Sequence, residues 1–331
     1  MKSLFGIKIF VTIFLTQIGI AWAQNPDLAA KNYPDRPVRI LVTTAPGGAS
    51  DIIIRPLAQR LTETLKQTFF IDNKPGASGI IAMEAGAKAN PDGYTILFGT
   101  VGTFASNAAV HEKIPYDPIK DYAHVSLICK TYMVLIINPK LPINNVKEFV
   151  EYAKARPGKL TYGSYGMGSF AHLLAASFSD TTAIETVHVP YKGSLPAITA
   201  LMAGEIDFMI DTLPSAVPFI KQNRIKALAI SSPERFEATP EIATFAESGY
   251  PQFKPNAWWG IAAPANTPKA IVQKLNAAIS EAIKTPDLID RYRASYAIPV
   301  GGPSDELLKQ ISTDLKSLTE TAKKGKISIN N

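Results

Sequence analysis

The chain of 331 residues contains one cysteine, Cys129, and four histidines, His111, His124, His172 and His188. A single thiol excludes an intramolecular disulfide and any cysteine-based metal cluster. The histidines show no H-E-x-x-H spacing and no clustering with other metal-ligand residues, so no metal site is expected. Cys129 closes the apolar run from Val125, where a buried, inert thiol is expected. Internal repeats, low-complexity tracts and long charge runs are also missing. The formal net charge of +6 is spread over scattered lysines and arginines, with only short doublets such as Lys323-Lys324. That pattern reads as a mildly basic, solvated surface and not as a nucleic-acid stripe.

No run is long enough for a membrane anchor either. Lys2 and Lys8 precede an apolar stretch from Ile9 to Ala21, about 13 residues where roughly 20 are needed to span a bilayer. Ala21-Trp22-Ala23 has the small-x-small form of a signal-peptidase site, so residues 1–23 are expected to be a signal peptide cleaved after Ala23. No cysteine follows the cleavage point, which removes a lipid anchor. An exported, soluble protein beginning at Gln24 is expected.

Hydrophobic residues make up 46% of the chain and charged residues 19%, an ordinary globular composition, and the length suggests two α/β lobes. Short β-like runs alternate with helical patterns, as in layers built on a largely parallel sheet. Strands are expected at Val38 to Val42, Phe69 to Asp72, Tyr94 to Phe98, Leu160 to Tyr162, Val187 to Val189, Ile206 to Ile210 and Ile225 to Ile230. Leu57, Leu61 and Leu65 mark a helix face, with Pro56 expected to bend its first turns. Further helices are expected at Ile80 to Ala89, Ala197 to Met202, Pro268 to Ile283 with Thr267 as cap, and Asp305 to Ala322. The run from Val125 through Asn138 is too long for one lobe and reads as a crossing segment, with Trp258 to Pro264 as a second crossing candidate. The first lobe is then discontinuous, formed by 24–130 and 247–331, with 131–246 as the second.

Two glycine-rich turns interrupt apolar runs where a strand should hand over to a helix: Ala45-Pro46-Gly47-Gly48-Ala49-Ser50-Asp51 and Gly163-Ser164-Tyr165-Gly166-Met167-Gly168-Ser169. Glycine lets backbone N–H groups approach a ligand, and a helix start adds unsatisfied donors and a positive dipole end, which suits a carboxylate or phosphate. Gly99-Thr100-Val101-Gly102-Thr103 reads as a further flexible strand-end turn on the same edge.

The candidate ligand residues are therefore Pro46, Gly47, Gly48, Asp51, Thr100, Gly102, Thr103, Ser164, Gly166, Gly168, Ser169, His172, Tyr191 and Asp211. Each has a plainer use. Ser50 or Asp51 is placed to cap the first helix, and Ser164 or Ser169 the second. His172 fits a buried or surface imidazole, Asp211 a cap or hinge bond, and Lys192 solvent. Asp51 would otherwise pair with the ammonium of an amino-acid ligand. Of Trp258 and Trp259, one is expected in the core and the other against the cleft.

The ordered set Tyr33-Pro34-Asp35-Arg36-Pro37, Ala45-Pro46-Gly47-Gly48 with Asp51, Asn73-Lys74-Pro75-Gly76-Ala77, Pro91-Asp92-Gly93-Tyr94-Thr95, Val189-Pro190-Tyr191-Lys192-Gly193, Ala203-Gly204-Glu205-Ile206-Asp207 and Ala263-Pro264 before Thr267-Pro268 resembles the periplasmic solute-binding receptors of tripartite tricarboxylate transporters, the Bug proteins. The resemblance covers nearly the whole mature chain. It implies an α/β, two-lobed Venus-flytrap fold of the second structural class, with two hinge-crossing strands. It implies a monomeric periplasmic receptor that clasps a di- or tricarboxylate, an acidic amino acid or an aromatic acid largely through backbone groups of the two turns. It implies transporter membrane subunits as partners and no cofactor. Phe104 stands where relatives often have His or another polar residue, which would make the cleft floor more apolar.

Other classes fit less well. Gly-x-Ser-x-Gly at Ser164 would need glycine at 162, where Tyr162 stands, so a nucleophile elbow is not formed. Gly166-Met167-Gly168-Ser169-Phe170-Ala171 matches a dinucleotide fingerprint, but Val187-His188-Val189 leads into Pro190-Tyr191-Lys192 without the acidic partner. No enzyme is expected. A ligand sensor reporting to a membrane sensor kinase is the alternative that the sequence leaves open.

Overall fold

The computed structural model describes residues 31–329, so the expected signal peptide and cleavage point lie outside the described residues. The first unit is β1 (Val38–Val42), α1 (Ala49–Leu65), β2 (Phe69–Asn73), α2 (Ile80–Ala87) and β3 (Thr95–Thr100). β1 is apolar on both faces because both are covered. Val38, Ile40 and Val42 pack with Ile53, Leu57 and Leu61 of α1, while Leu41 joins Ala82 and Met83 of α2 on the other side. Buried α1 residues recur at helical spacing, and the helix continues through Pro56.

β3 reaches further than the sequence suggests. Gly99 and Thr100 are paired strand residues, opposite Gly260 and Trp259, and a π-helix follows at Gly102–Ser106, leading into the short α3 (Asn107–Val110). The expected flexible turn is thus a strand end and a wide π-helical turn. Glycine is needed at 99 for packing: an added Cβ would lie 2.5 Å from Phe104 and 2.9 Å from Thr103 Oγ1. Phe104 itself is fully buried, stacked on Trp258 at 6.0 Å, and forms core instead of cleft floor.

β4 (Tyr122–Ile137) is the crossing segment, 16 residues long. After it come α4 (Val146–Lys154), β5 (Leu160–Ser164), α5 (Phe170–Thr182), β6 (Thr186–Pro190), α6 (Ser194–Ala203), β7 (Phe208–Thr212), α7 (Leu213–Lys221) and β8 (Lys226–Ile230). The chain closes with β9 (Asn256–Pro264), α8 (Lys269–Ile283), α9 (Pro286–Ala294), β10 (Ile298–Pro299) and α10 (Asp305–Lys324). Thr267 does not cap α8; its hydroxyl donates to the Pro264 carbonyl, and Pro268 holds the cap position.

The strands follow the order β2-β1-β3-β9-β4-β7-β5-β6, with β8 and β10 also on β4. β1 is parallel to β2 and β3, and β5 to β6 and β7, whereas β9 runs antiparallel to β3 and β4. β4 pairs with β9 as far as Tyr132 and with β7 and β8 from Met133 or Val134 onward, so one strand serves both halves of the sheet. The return is made at the start of β9, where Asn256 lies opposite Tyr132; from there the strand belongs to the first half.

Each half has a core of its own on one face. A third cluster runs along the other face of both, where α10 inserts Leu307, Ile311, Leu318 and Ala322 between them.

Candidate functional site

At the end of β1, Ala45 to Gly48 are exposed and Gly47 has φ +83°, a conformation that favours glycine. An added Cβ at Gly47 would meet nothing within 4 Å, so the turn faces open space. Asp51, one turn into α1, holds this turn from below. Its Oδ2 accepts from the Gly47 N–H at 3.1 Å and from Arg55 Nε at 2.6 Å, and its Oδ1 accepts from Arg55 Nη2 and Asn73 Nδ2. Burial raises the Asp51 pKa, but the hydrogen bonds from Arg55, Gly47 and Asn73 outweigh it and hold the carboxyl below its usual range. Asn73 also donates to the Thr44 carbonyl, tying the end of β2 to the same loop. Ser50 accepts from Trp259 Nε1 at 3.0 Å. The opening N–H groups of α1 are left as the unsatisfied donors of any helix start.

Beside this turn, Thr103 Oγ1 donates to the Thr100 carbonyl and accepts from the Thr100 N–H, closing the β3 end on itself. Gly102 is partly exposed there. Thr43 and Thr103 both crowd the position of an added Cβ at Gly79, which brings the β1 and β3 ends together. The hydroxyls of Thr43 and Thr44 are buried with no hydrogen-bond partner.

In the second half, the ends of β5, β6 and β7 are cross-linked. The Tyr191 N–H donates to the Ser164 carbonyl, joining β6 to β5. Asp211, fully buried at the end of β7, accepts from the Tyr165 hydroxyl, from Ser194 Oγ at 2.6 Å and from the Thr212 N–H at 2.6 Å. Burial raises its pKa despite those donors. Three loops thus meet on one carboxyl group, and its oxygens face protein donors. Gly166 (φ +133°) and Gly168 (φ +69°) shape the turn between β5 and α5. The Gly168 N–H donates to His172 Nδ1 at 3.0 Å, and Ser169 Oγ accepts from the His172 N–H at 3.4 Å as the helix cap. His172 is buried beneath the turn. At Gly168 the second half also touches the first, since an added Cβ would lie 2.7 Å from Val110 and 2.6 Å from Ile329.

His188 was not singled out by the sequence. Its Nε2 lies 2.6 Å from Ser164 Oγ, its ring stacks on His172, and its Nδ1 is buried without a partner. It lies on β6 opposite Tyr162 in the parallel register with β5; the only signal in the sequence was its alternation with Val187 and Val189. Burial takes both imidazoles down to about 4, with His188 adding to the effect at His172, so both are neutral near pH 7. The tautomer that leaves the bare Nδ1 unpaired puts the proton on Nε2, donating to Ser164 Oγ; the serine then donates to the Gly166 carbonyl at 2.9 Å. Ser164 is fully buried and its proton is committed. A nucleophile would need exposure and a third group orienting its base, so this pair positions the turn and does not attack a substrate.

Both tryptophans are buried in the core; Trp258 donates to Asp314 at 2.6 Å, and Trp259 also lines a cavity beside α1. Tyr191 is partly buried and Lys192 exposed at the β6 end. Among the described residues no group of three or more His, Cys, Asp or Glu side chains is arranged to hold a metal, and no helix is long and apolar enough to cross a membrane.

The candidate site is therefore two sets of strand-end turns, one from each half of the sheet. Known proteins are similar to this chain over most of its length. BugT of Bordetella pertussis is 33% identical over 307 residues, covering 92% of this chain and 93% of its own. A protein of R. palustris solved with adipate is 33% identical with a TM-score of 0.83, covering 90% of this chain and 100% of its own. MatC of Rhodopseudomonas palustris, solved with bound malate, is 31% identical with a TM-score of 0.78, covering 87% and 99%. These neighbours establish the periplasmic-binding-protein type of mixed α/β fold, and they are solute-binding receptors and not enzymes. With the model of the tripartite tricarboxylate transporter family receptor matching residues 53–324, the chain belongs to that receptor family.

Proposed function

We propose that the chain captures one small carboxylate in the cleft between its two halves and delivers it to the membrane subunits of a tripartite tricarboxylate-type transporter. The observation that carries this reading is the exposed Gly47-Gly48 turn, held by Asp51 and backed by a helix start, with the Gly166–Ser169 turn on the other half. Backbone N–H donors in a cleft emptied of water bind an anion strongly without a formal positive charge. The adipate and malate bound by two relatives support the ligand class.

Pro46, Gly47, Gly48, Thr100, Gly102, Gly166, Ser169 and Tyr191 are the proposed ligand-facing residues. Asp51, Thr103, Ser164, Gly168, His172 and Asp211 are proposed to act through the turns that they brace. We also propose lobes of 24–130 with 247–331, and 131–246, supported by the change of partners along β4. Export through residues 1–23 and a monomeric receptor complete the reading.

The test is a thermal-shift screen against small carboxylates, with native mass spectrometry of the purified protein to identify any trapped ligand. A ligand that binds only the folded state raises the melting temperature. A screen without a stabilising acid and a spectrum without a bound one would reject the receptor reading.

A further inference from the structure

A cavity of about 200 Å³ lies between the halves, lined by Ala49, Ile52 and Ile53 of α1, Pro214 and Pro218 of α7, and Trp259, with Ala294 to Tyr296 at its far side. It abuts the Gly47-Gly48 turn, because Ala49 opens α1. Its volume exceeds the roughly 150 Å³ that suffices for benzene in an apolar cavity.

The lining has almost nothing left to offer a polar group. Trp259 Nε1 donates to Ser50, Ser295 Oγ donates to the Arg291 carbonyl, and the Tyr296 hydroxyl accepts from Lys221 at the outer edge. The N–H groups of Ile52, Ser295 and Tyr296 donate to the carbonyls of Gly48, Arg291 and Arg293. Pro214 and Pro218 have no N–H. Ala49, at the turn end, brings the donor of a helix start, and the Tyr296 hydroxyl, which accepts from Lys221, keeps its own proton at the outer edge. A hydroxyl or second carboxylate placed deep in this cavity would lose its water and gain no partner, which is costly. An alkyl chain or ring would lose nothing. Half-exposed Ile52 would be covered by it, and the buried Trp259 would be contacted.

Resting on the receptor reading above, we infer that this cavity takes the apolar body of the ligand, so that the chain prefers monocarboxylates with an alkyl or aromatic body over short dicarboxylates. The carboxylate end sits at the α1 turn and the body extends between α1 and α7.

The experiment is calorimetric titration of the full mature chain with butyrate, hexanoate and benzoate, and with malate and adipate. Affinity should rise about fourfold per added methylene from butyrate to hexanoate. Benzoate and hexanoate should bind more tightly than malate and adipate. Ile52→Asp, on an exposed face, and Ala294→Trp, filling the cavity from an exposed position, should abolish the chain-length dependence while leaving the melting temperature of the free protein unchanged. Tighter binding of malate or adipate, or a chain-length dependence that survives both substitutions, would overturn the inference and leave the receptor reading standing. Absence of binding by every acid would overturn both.

Discussion

His172 and His188 stack face to face, their ring centroids 3.7 Å apart and their planes 8° from parallel. Two imidazolium cations could not share that geometry. Each ring also serves the same turn, His172 through the Gly168 N–H and His188 through Ser164. The charge state of the pair is thereby linked to the shape of the glycine turn.

Stability should fall on acidification through the histidine range. An unfolded imidazole takes its proton near pH 6.5, whereas these two take theirs near 4. Between those values the unfolded state holds more protons, so stability is lost as pH drops from about 6.5 toward 4. Buried His172 alone should cost about 3 kcal/mol by pH 4, and partly exposed His188 should add a smaller amount. Melting curves across this range should show the decline, and His188→Gln, which retains an N–H for Ser164, should flatten it.

Asp51 and Arg55 should differ in consequence although they form one ion pair. Asp51→Ala strips partners from the Gly47 N–H and Asn73 and should cost about 1–2 kcal/mol, with loss of carboxylate binding. Arg55 is 55% exposed, so Arg55→Ala should cost less than about 1 kcal/mol. Urea denaturation of the two variants, with a ligand thermal shift on each, makes the comparison.

Removing the Asp211 carboxyl should loosen three loops together. Asp211→Ala leaves the Tyr165 and Ser194 hydroxyls and the Thr212 N–H without their acceptor. The expected loss is about 3 kcal/mol, since each buried donor left unpaired costs roughly 1–3 kcal/mol. Hydrogen exchange should then rise at residues 165–169, 191–195 and 212–215 in the same variant. Exchange confined to 212–215 would show that the three loops are not coupled through this group.

Gly47 and Gly168, one from each glycine turn, should part company under substitution. Gly47→Ala meets open space, so only the positive φ penalises it, about 1–2 kcal/mol. The protein should fold and its ligand shift should shrink. Gly168→Ala drives a methyl into Val110 and Ile329 and should lower the melting temperature markedly, ligand present or not. Differential scanning calorimetry of both variants separates a ligand effect from a packing effect.

What the sequence made readable was local. Strand-turn-helix units, the Leu57 and Leu61 face and the long β4 run follow from apolar spacing, which needs no knowledge of partners. The two glycine turns were equally plain because glycine marks its own conformation. The braces behind them were not, because each depends on a register fixed elsewhere. His188 reaches Ser164 only once β5 and β6 lie parallel, and Trp259 reaches Ser50 across 209 residues. Phe104 looked like a loop residue because Gly99, the space it fills, reads as a turn signal when its strand neighbours are unknown.

The placement of β9 between β3 and β4 fixes an order of events during folding. Until residue 264 has left the ribosome, β3 has an edge with no neighbour and β4 lacks the strand that flanks its first eleven residues, Tyr122 to Tyr132. The chain inserted between them can fold earlier, using the last part of β4, flanked by β7 and β8, as its own inner strand. A nascent chain stopped before β9 would therefore carry one nearly finished half and one half with an open, aggregation-prone edge.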